Sequence, residues 1–313
     1  MKTKIQLYST LLFCVLLFFA GAALHAQVLS LPAAERVRLP EPGAPSEEGL
    51  MVDGTAWLSV RRFTDGSGIP IDPDVAGHNY HYEAGTDFVL WRGLRLQVEG
   101  MVRMMVLSTQ PEGWSDNTWF LDLSAFIVEQ NLRVRTQAGP VGLGLGFHHN
   151  SKHDVDRPRR RTPIHDTLRL ELDTPLFRGT HEWAGVPSAS WRAWSRLMAE
   201  YALEPVFQVN EPENYAGGLF LEVFSEPWIF SDNAALFADA AAGLLVNTAD
   251  NESEADFDWL LRAGLRLGPE PRSVAIFGDV QRLHDDWKAN ASRGPGRETE
   301  PWTLIGFGVS FRR

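Results

Sequence analysis

Cysteine is almost absent from this chain. The single one, Cys14, lies in the first apolar run, so no disulfide can staple the rest of the sequence and no thiol serves there as a nucleophile. Beyond the amino terminus, long apolar runs are also missing; none reaches the roughly 18 residues that a membrane-spanning helix needs. Basic charge is in deficit, with 29 Lys and Arg against 40 Asp and Glu. Nucleic acid is therefore excluded as a partner, since its binding draws on clustered cationic side chains.

What is present at the amino terminus sets the compartment. Lys2 and Lys4 precede the apolar stretch Leu11 to Phe19, and the small-residue stretch Gly21-Ala22-Ala23-Leu24-His25-Ala26 follows. That order reads as a secretory signal peptide over residues 1–26, cleaved near Ala26. Without Lys2 and Lys4 the balance is 27 basic against 40 acidic residues, a net charge near −13. Residues 27–48 are rich in Pro, Ala and Glu and read as a flexible periplasmic lead-in. Residues 49–313 then form one domain.

That domain is written in a period of two. Tyr80, Tyr82, Ala84, Phe88 and Leu90 oppose His81, Glu83, Gly85 and Asp87. Leu94, Leu96, Val98, Val102, Met104 and Val106 oppose Arg95, Gln97, Glu99 and Arg103, and Trp119, Leu121, Leu123, Ala125 and Ile127 oppose Asp122 and Ser124. Phe257, Trp259, Leu261, Ala263, Leu265 and Leu267 oppose Asp258, Arg262 and Arg266, and the chain ends on Ile305, Phe307, Val309 and Phe311. Such segments are strands with one apolar face. At about 10 to 15 residues they exceed the usual sandwich strand and suit tilted crossings of a bilayer. Tight connections at 91–93, 129–131 and 268–271 interleave with long ones at 63–77, 152–161, 248–255 and 284–301, while the 174–189 connection is long where a short turn is expected. The expected fold is all-β: a transmembrane antiparallel β-barrel of about twelve strands. Its inward faces carry charges of both signs, among them Arg95, Glu99, Arg133, Arg135, Arg169, Glu171, Arg196, Arg262 and Asp279, so crossed ion pairs are expected to fill the lumen.

One stretch stands apart, PVGLGLGFHHNSKHDVD over Pro140–Asp156. Val141, Leu143, Leu145 and Phe147 share a face, and the same parity carries His149 and Ser151 onto it. Asp166 falls on that face in the next strand, so His149, Ser151 and Asp166 are candidates for base, nucleophile and orienting carboxylate. His148, His149, His153, Asp154 and Asp156 are equally a donor set for a divalent cation. Arg157, Arg159, Arg160 and Arg161 suit phosphates of lipopolysaccharide, since guanidinium matches phosphate geometry.

The chain as a whole resembles bacterial outer-membrane β-barrel proteins: a leader, no later cysteine, alternating strands and a terminal strand rich in outward aromatics. Arg312 and Arg313 follow Phe311 where such proteins usually end on an aromatic residue. The resemblance implies residence in the cell outer membrane, delivery by the barrel-assembly machinery, and contact with outer-membrane lipids and lipopolysaccharide. More locally, Gly146-Phe147-His148-His149-Asn150-Ser151 resembles the glycine, aromatic, any, His, any, Ser strand of outer-membrane phospholipase A, and lipid A deacylases also use a His-x-Ser pair. This implies His149 as base and Ser151 as nucleophile on the outer wall, with calcium assisting. Ser190 to Glu200 is similar to the phospholipase strand carrying the third catalytic residue, with Arg192 where that family has an amide. Two functions stay open: an outer-membrane barrel of structural or transport type, and an esterase acting on phospholipid or lipid A acyl chains. The barrel reading has a direct test, because the folded protein in detergent is expected to change electrophoretic mobility on boiling. A water-soluble monomer that folds without detergent would contradict it.

Overall fold

The computed structural model describes residues 48–51, 53–63, 77–110, 123–154, 164–181, 189–203, 213–249, 252–269, 272–283 and 302–313. The leader at 1–26 and almost all of the lead-in lie outside them. The described elements are all strands: β1 (Gly49–Leu50), β2 (Gly54–Phe63), β3 (Gly77–Arg92), β4 (Leu96–Gln110), β5 (Leu123–Ala138), β6 (Val141–Asp154), β7 (Ile164–Asp173), β8 (Phe177–His181), β9 (Ala189–Ala202), β10 (Glu213–Ser231), β11 (Ala234–Ala249), β12 (Glu252–Leu267), β13 (Ser273–Leu283) and β14 (Trp302–Arg312). Each pairs antiparallel with its neighbours, and β14 pairs with β2 while β3 pairs with β4, so twelve of them close into a ring. Closure leaves no edge, which is what a sheet in a bilayer requires. The last residue takes part: Gly54 and Arg313 exchange backbone hydrogen bonds of 3.0 and 2.9 Å.

β1 and β8 lie outside the ring. β8 continues the line of β7, since Asp173 opposes Arg196 and, four residues later, Phe177 opposes Ala193 on the same strand β9. Pro175 lacks the N–H that would carry the ladder through, so one long strand is broken in two. Within the long connection expected at 174–189, Phe177–His181 is thus strand. Three other sequence expectations are corrected. Glu129-Gln130-Asn131 is mid-strand in β5; the turn is Gly139-Pro140, where Gly139 adopts φ +66° and Ala138 faces Val141. Ala249 pairs with Glu252, which removes the long loop expected at 248–255. Arg95 is exposed in the β3–β4 turn and not inside the barrel, its carbonyl accepting the Thr136 hydroxyl at 2.7 Å.

The two faces have opposite chemistry. Outside, Leu58, Leu132, Leu145, Leu219, Phe257, Leu261, Ile276 and Phe307 are all exposed. Such a girdle is far too extensive for water and fits hydrocarbon. Inside, arginines cross the lumen. Arg61 reaches Glu83 at 2.8 Å and Asp279 at 2.7 Å; Arg133 reaches Asp87 at 2.7 Å and Glu99; Arg135 reaches Glu99 at 2.9 Å and Asp173; Arg196 reaches Asp173 at 2.7 Å. Arg61, Arg133, Arg135, Arg169 and Arg196 are each at most 1% exposed, so the lattice fills the section it occupies. Towards the short-turn end it rests on aromatics, with Arg262 over Phe277 at 4.1 Å and Arg196 over Trp194 at 5.3 Å. Towards the long-loop end Met198, Phe220, Ala241, Leu245 and Leu260 pack together.

The glycine face of β6 now has a reason. A side chain at Gly144 would begin 3.2 Å from Arg135 and 3.1 Å from Glu171, and one at Gly146 would begin 3.0 Å from Arg133. The bare strand makes room for arginines of β5. Ile127, grouped by its alternation with apolar residues of one face, points inward and is buried opposite Met105. Arg133→Ala is expected to leave Asp87 without this cation and Glu99 with Arg135 alone, and to cost about 3 to 5 kcal/mol. Urea titration followed by the heat-sensitive mobility shift measures it; an unchanged midpoint would contradict the lattice as a stabilising feature.

Candidate functional site

The two adjacent histidines of β6 part company by parity alone. His148 faces the lumen, fully buried, with Nε2 2.9 Å from Glu129 and Nδ1 3.0 Å from Arg169. His149 faces out. A pair on opposite sides of a wall cannot share one cation, so the five-residue metal set is not assembled. Among the described residues no cluster of three His, Cys, Asp or Glu could hold a metal ion. The side chains of His153 and Asp154, with Asp156, Arg157, Arg159, Arg160 and Arg161, lie outside the described residues.

His149 and Asp166 do meet. They are directly opposed in the β6–β7 register, and His149 Nδ1 lies 2.8 Å from Asp166 Oδ1. Their side chains are 28% and 25% exposed, reachable yet partly sheltered. The contact at Nδ1 leaves Nε2 as the nitrogen that can take a proton. The carbonyl of Asp166 accepts the N–H of Leu203 at 2.8 Å, which ties this end of β7 to β9. Ser151 follows two residues along β6, opposite Val128 and Ile164, with no register shift to alter its parity. It is 4% exposed, so its hydroxyl is covered.

The surroundings place this group at a boundary. Below it three outward rows run across β5, β6, β7 and β9: Leu132–Phe147–Leu168–Tyr201, Val134–Leu145–Leu170–Ala199 and Thr136–Leu143–Leu172–Leu197. From Val141 to His149 the strand rises about 20 Å along the barrel axis at ordinary rise and tilt, close to the height of the apolar band of such barrels. The polar row lies just above these three apolar rows, and the next row up is Val128–Ser151–Ile164. The polar row has a third member which the sequence reading missed: Gln130 of β5 opposes His149 and is exposed on the outer face. The signal was there in Val128, Leu132 and Val134, whose parity it shares.

An apolar outside, a charged and filled inside, and an even, closed ring of strands have one common explanation. The chain is a transmembrane β-barrel of outer-membrane type.

No family model and no curated protein matches it. Among solved structures, LpxR from Salmonella typhimurium aligns at TM-score 0.42 and 10% identity over 82% of this chain and 99% of that one. An outer membrane channel from Pseudomonas putida F1 aligns at 0.45 and 9% over 88% and 100%, and outer membrane phospholipase A from Escherichia coli at 0.44 and 12% over 82% and 92%. A channel and a phospholipase stand side by side, so the likeness assigns no activity.

The filled lumen does bear on conduction. Refolded protein in a planar bilayer is expected to give no steady ohmic current, and porin-like open-pore steps would contradict the packing described.

Proposed function

We propose that this barrel works at its outer wall as a serine esterase on acyl esters of outer-membrane lipids. The observation that carries the reading is the contact of His149 Nδ1 with Asp166 Oδ1 at 2.8 Å, about a quarter exposed above the apolar rows, with Ser151 on the same strand face. In the proposed reaction Ser151 Oγ gives its proton to His149 Nε2 and bonds to the ester carbonyl carbon. The carbon–oxygen bond to the alcohol breaks, and the imidazolium returns the proton to the leaving oxygen. Water then attacks the acyl-serine and gives its proton to His149 Nε2; the acyl bond to Ser151 Oγ breaks, the proton returns to Oγ, and fatty acid leaves. Asp166 fixes the ring and steadies its charge.

The proposal includes export by the leader at 1–26, insertion by the barrel-assembly machinery, and a role for Arg157, Arg159, Arg160 and Arg161 against lipid phosphates. Calcium, expected from the local resemblance, would need donors such as His153, Asp154 and Asp156. A second reading, a barrel with a structural role alone, is favoured by the coverage of Ser151. Substrate must be able to reach that hydroxyl.

The deciding assay is hydrolysis of phospholipid and lipid A acyl esters by refolded protein in detergent, with and without calcium. Ser151→Ala and His149→Ala are each expected to lower turnover at least about a thousandfold while keeping the mobility shift. Wild-type protein without activity, or a Ser151→Ala variant as fast as wild type, would overturn the proposal.

A further inference from the structure

Gln130 is a polar side chain on a lipid-facing wall. Its outward neighbours on β5 are Val128, Leu132 and Val134, and among the described residues its carboxamide has no hydrogen-bond partner. Exposed on the wall, this amide is available to an acceptor outside the chain. Its place is specific: across β6 it is directly opposite His149, as Asp166 is on the other side. Directly opposed residues have Cβ atoms about 5 Å apart and diagonal ones about 7 to 8 Å, so a glutamine on β5 can reach the space in front of both His149 and Ser151.

The Nδ1 side of His149 is taken by Asp166. What an acyl transfer still lacks there is a donor for the oxygen on which negative charge develops. The rows just below are apolar, with Leu132, Phe147 and Leu168 beneath the polar row. An acyl chain lying along them brings its ester carbonyl to the level of Gln130.

We infer that the Gln130 carboxamide N–H binds the carbonyl oxygen of a long-chain acyl ester whose chain lies down the outer wall over Phe147, and holds the oxyanion as Ser151 attacks. This rests on the esterase reading and adds a donor to it. No atoms are exchanged with Gln130; it gives a hydrogen bond that tightens as the carbonyl oxygen becomes anionic.

Two variants test it. Gln130→Leu removes the amide and suits the apolar outward face of β5, so folding is expected to be kept or improved, and Gln130→Glu keeps the shape while replacing the donor with an acceptor. With p-nitrophenyl palmitate in detergent micelles, both are expected to lower kcat about 100-fold or more with KM changed less than about threefold, and to slow labelling of Ser151 by an alkyl fluorophosphonate in parallel. Wild-type protein that is active and labelled, with Gln130→Leu equally fast, would overturn the role of Gln130 and leave the esterase standing. Wild-type protein neither active nor labelled would overturn both.

Discussion

Each central arginine of this barrel holds carboxylates on other strands of the ring. Arg61 on β2 binds Asp279 on β13, with β14 between them; Arg135 on β5 binds Asp173 on β7, with β6 between them; Arg266 on β12 binds Glu226 on β10 at 2.6 Å, with β11 between them. Charges withdrawn from water persist only when paired this closely, and pairs that skip a strand need a gap in the wall beneath them. The glycines of β6 provide one such gap, and Gly306 of β14 another, where an added side chain would begin 2.5 Å from Arg61. Lattice and glycines are one device, and together they occupy the space that a pore would use.

A filled lumen moves chemistry to the outside. The outer wall is a solvent boundary set by side-chain alternation: apolar rows for hydrocarbon, then a polar row of Gln130, His149 and Asp166. A polar side chain on the lipid face is costly at mid-membrane and cheap at the interface, so this row can exist only near the end of the apolar run. The esterase proposed for this barrel rests on that row and on the serine that follows it on β6.

Much of the fold was legible because a bilayer imposes a simple rule on strands: one parity for lipid, the other for the interior. The apolar face of β6, the inward arginines of β5 and the shared face of His149 and Asp166 all follow from counting by twos, whereas the direct opposition of that pair is set by the hairpin register. The rule fails where polarity has more than one cause. Glu129-Gln130-Asn131 looks like a turn because three polar residues stand together; in the barrel, Glu129 and Asn131 are buried inside while Gln130 faces out. The same misreading hid the third member of the polar row. Arg95 follows the inward parity of β4 but precedes the strand, and Pro175 disguises one long strand as a loop. The split of His148 from His149 is likewise a matter of parity, lost when the histidines are read together as ligands.

The central claim is that the interior is filled and the exterior meets lipid. With Cys14 replaced by serine, single cysteines at Ser59→Cys, buried at 4% exposure on the inner face of β2, and Leu58→Cys beside it on the outer face, can be probed in vesicles with water-soluble and lipid-soluble maleimides. Ser59→Cys is expected to resist the water-soluble reagent, and Leu58→Cys to react with the lipid-soluble one alone. Rapid reaction of Ser59→Cys with the water-soluble reagent would show a hydrated lumen and contradict the account.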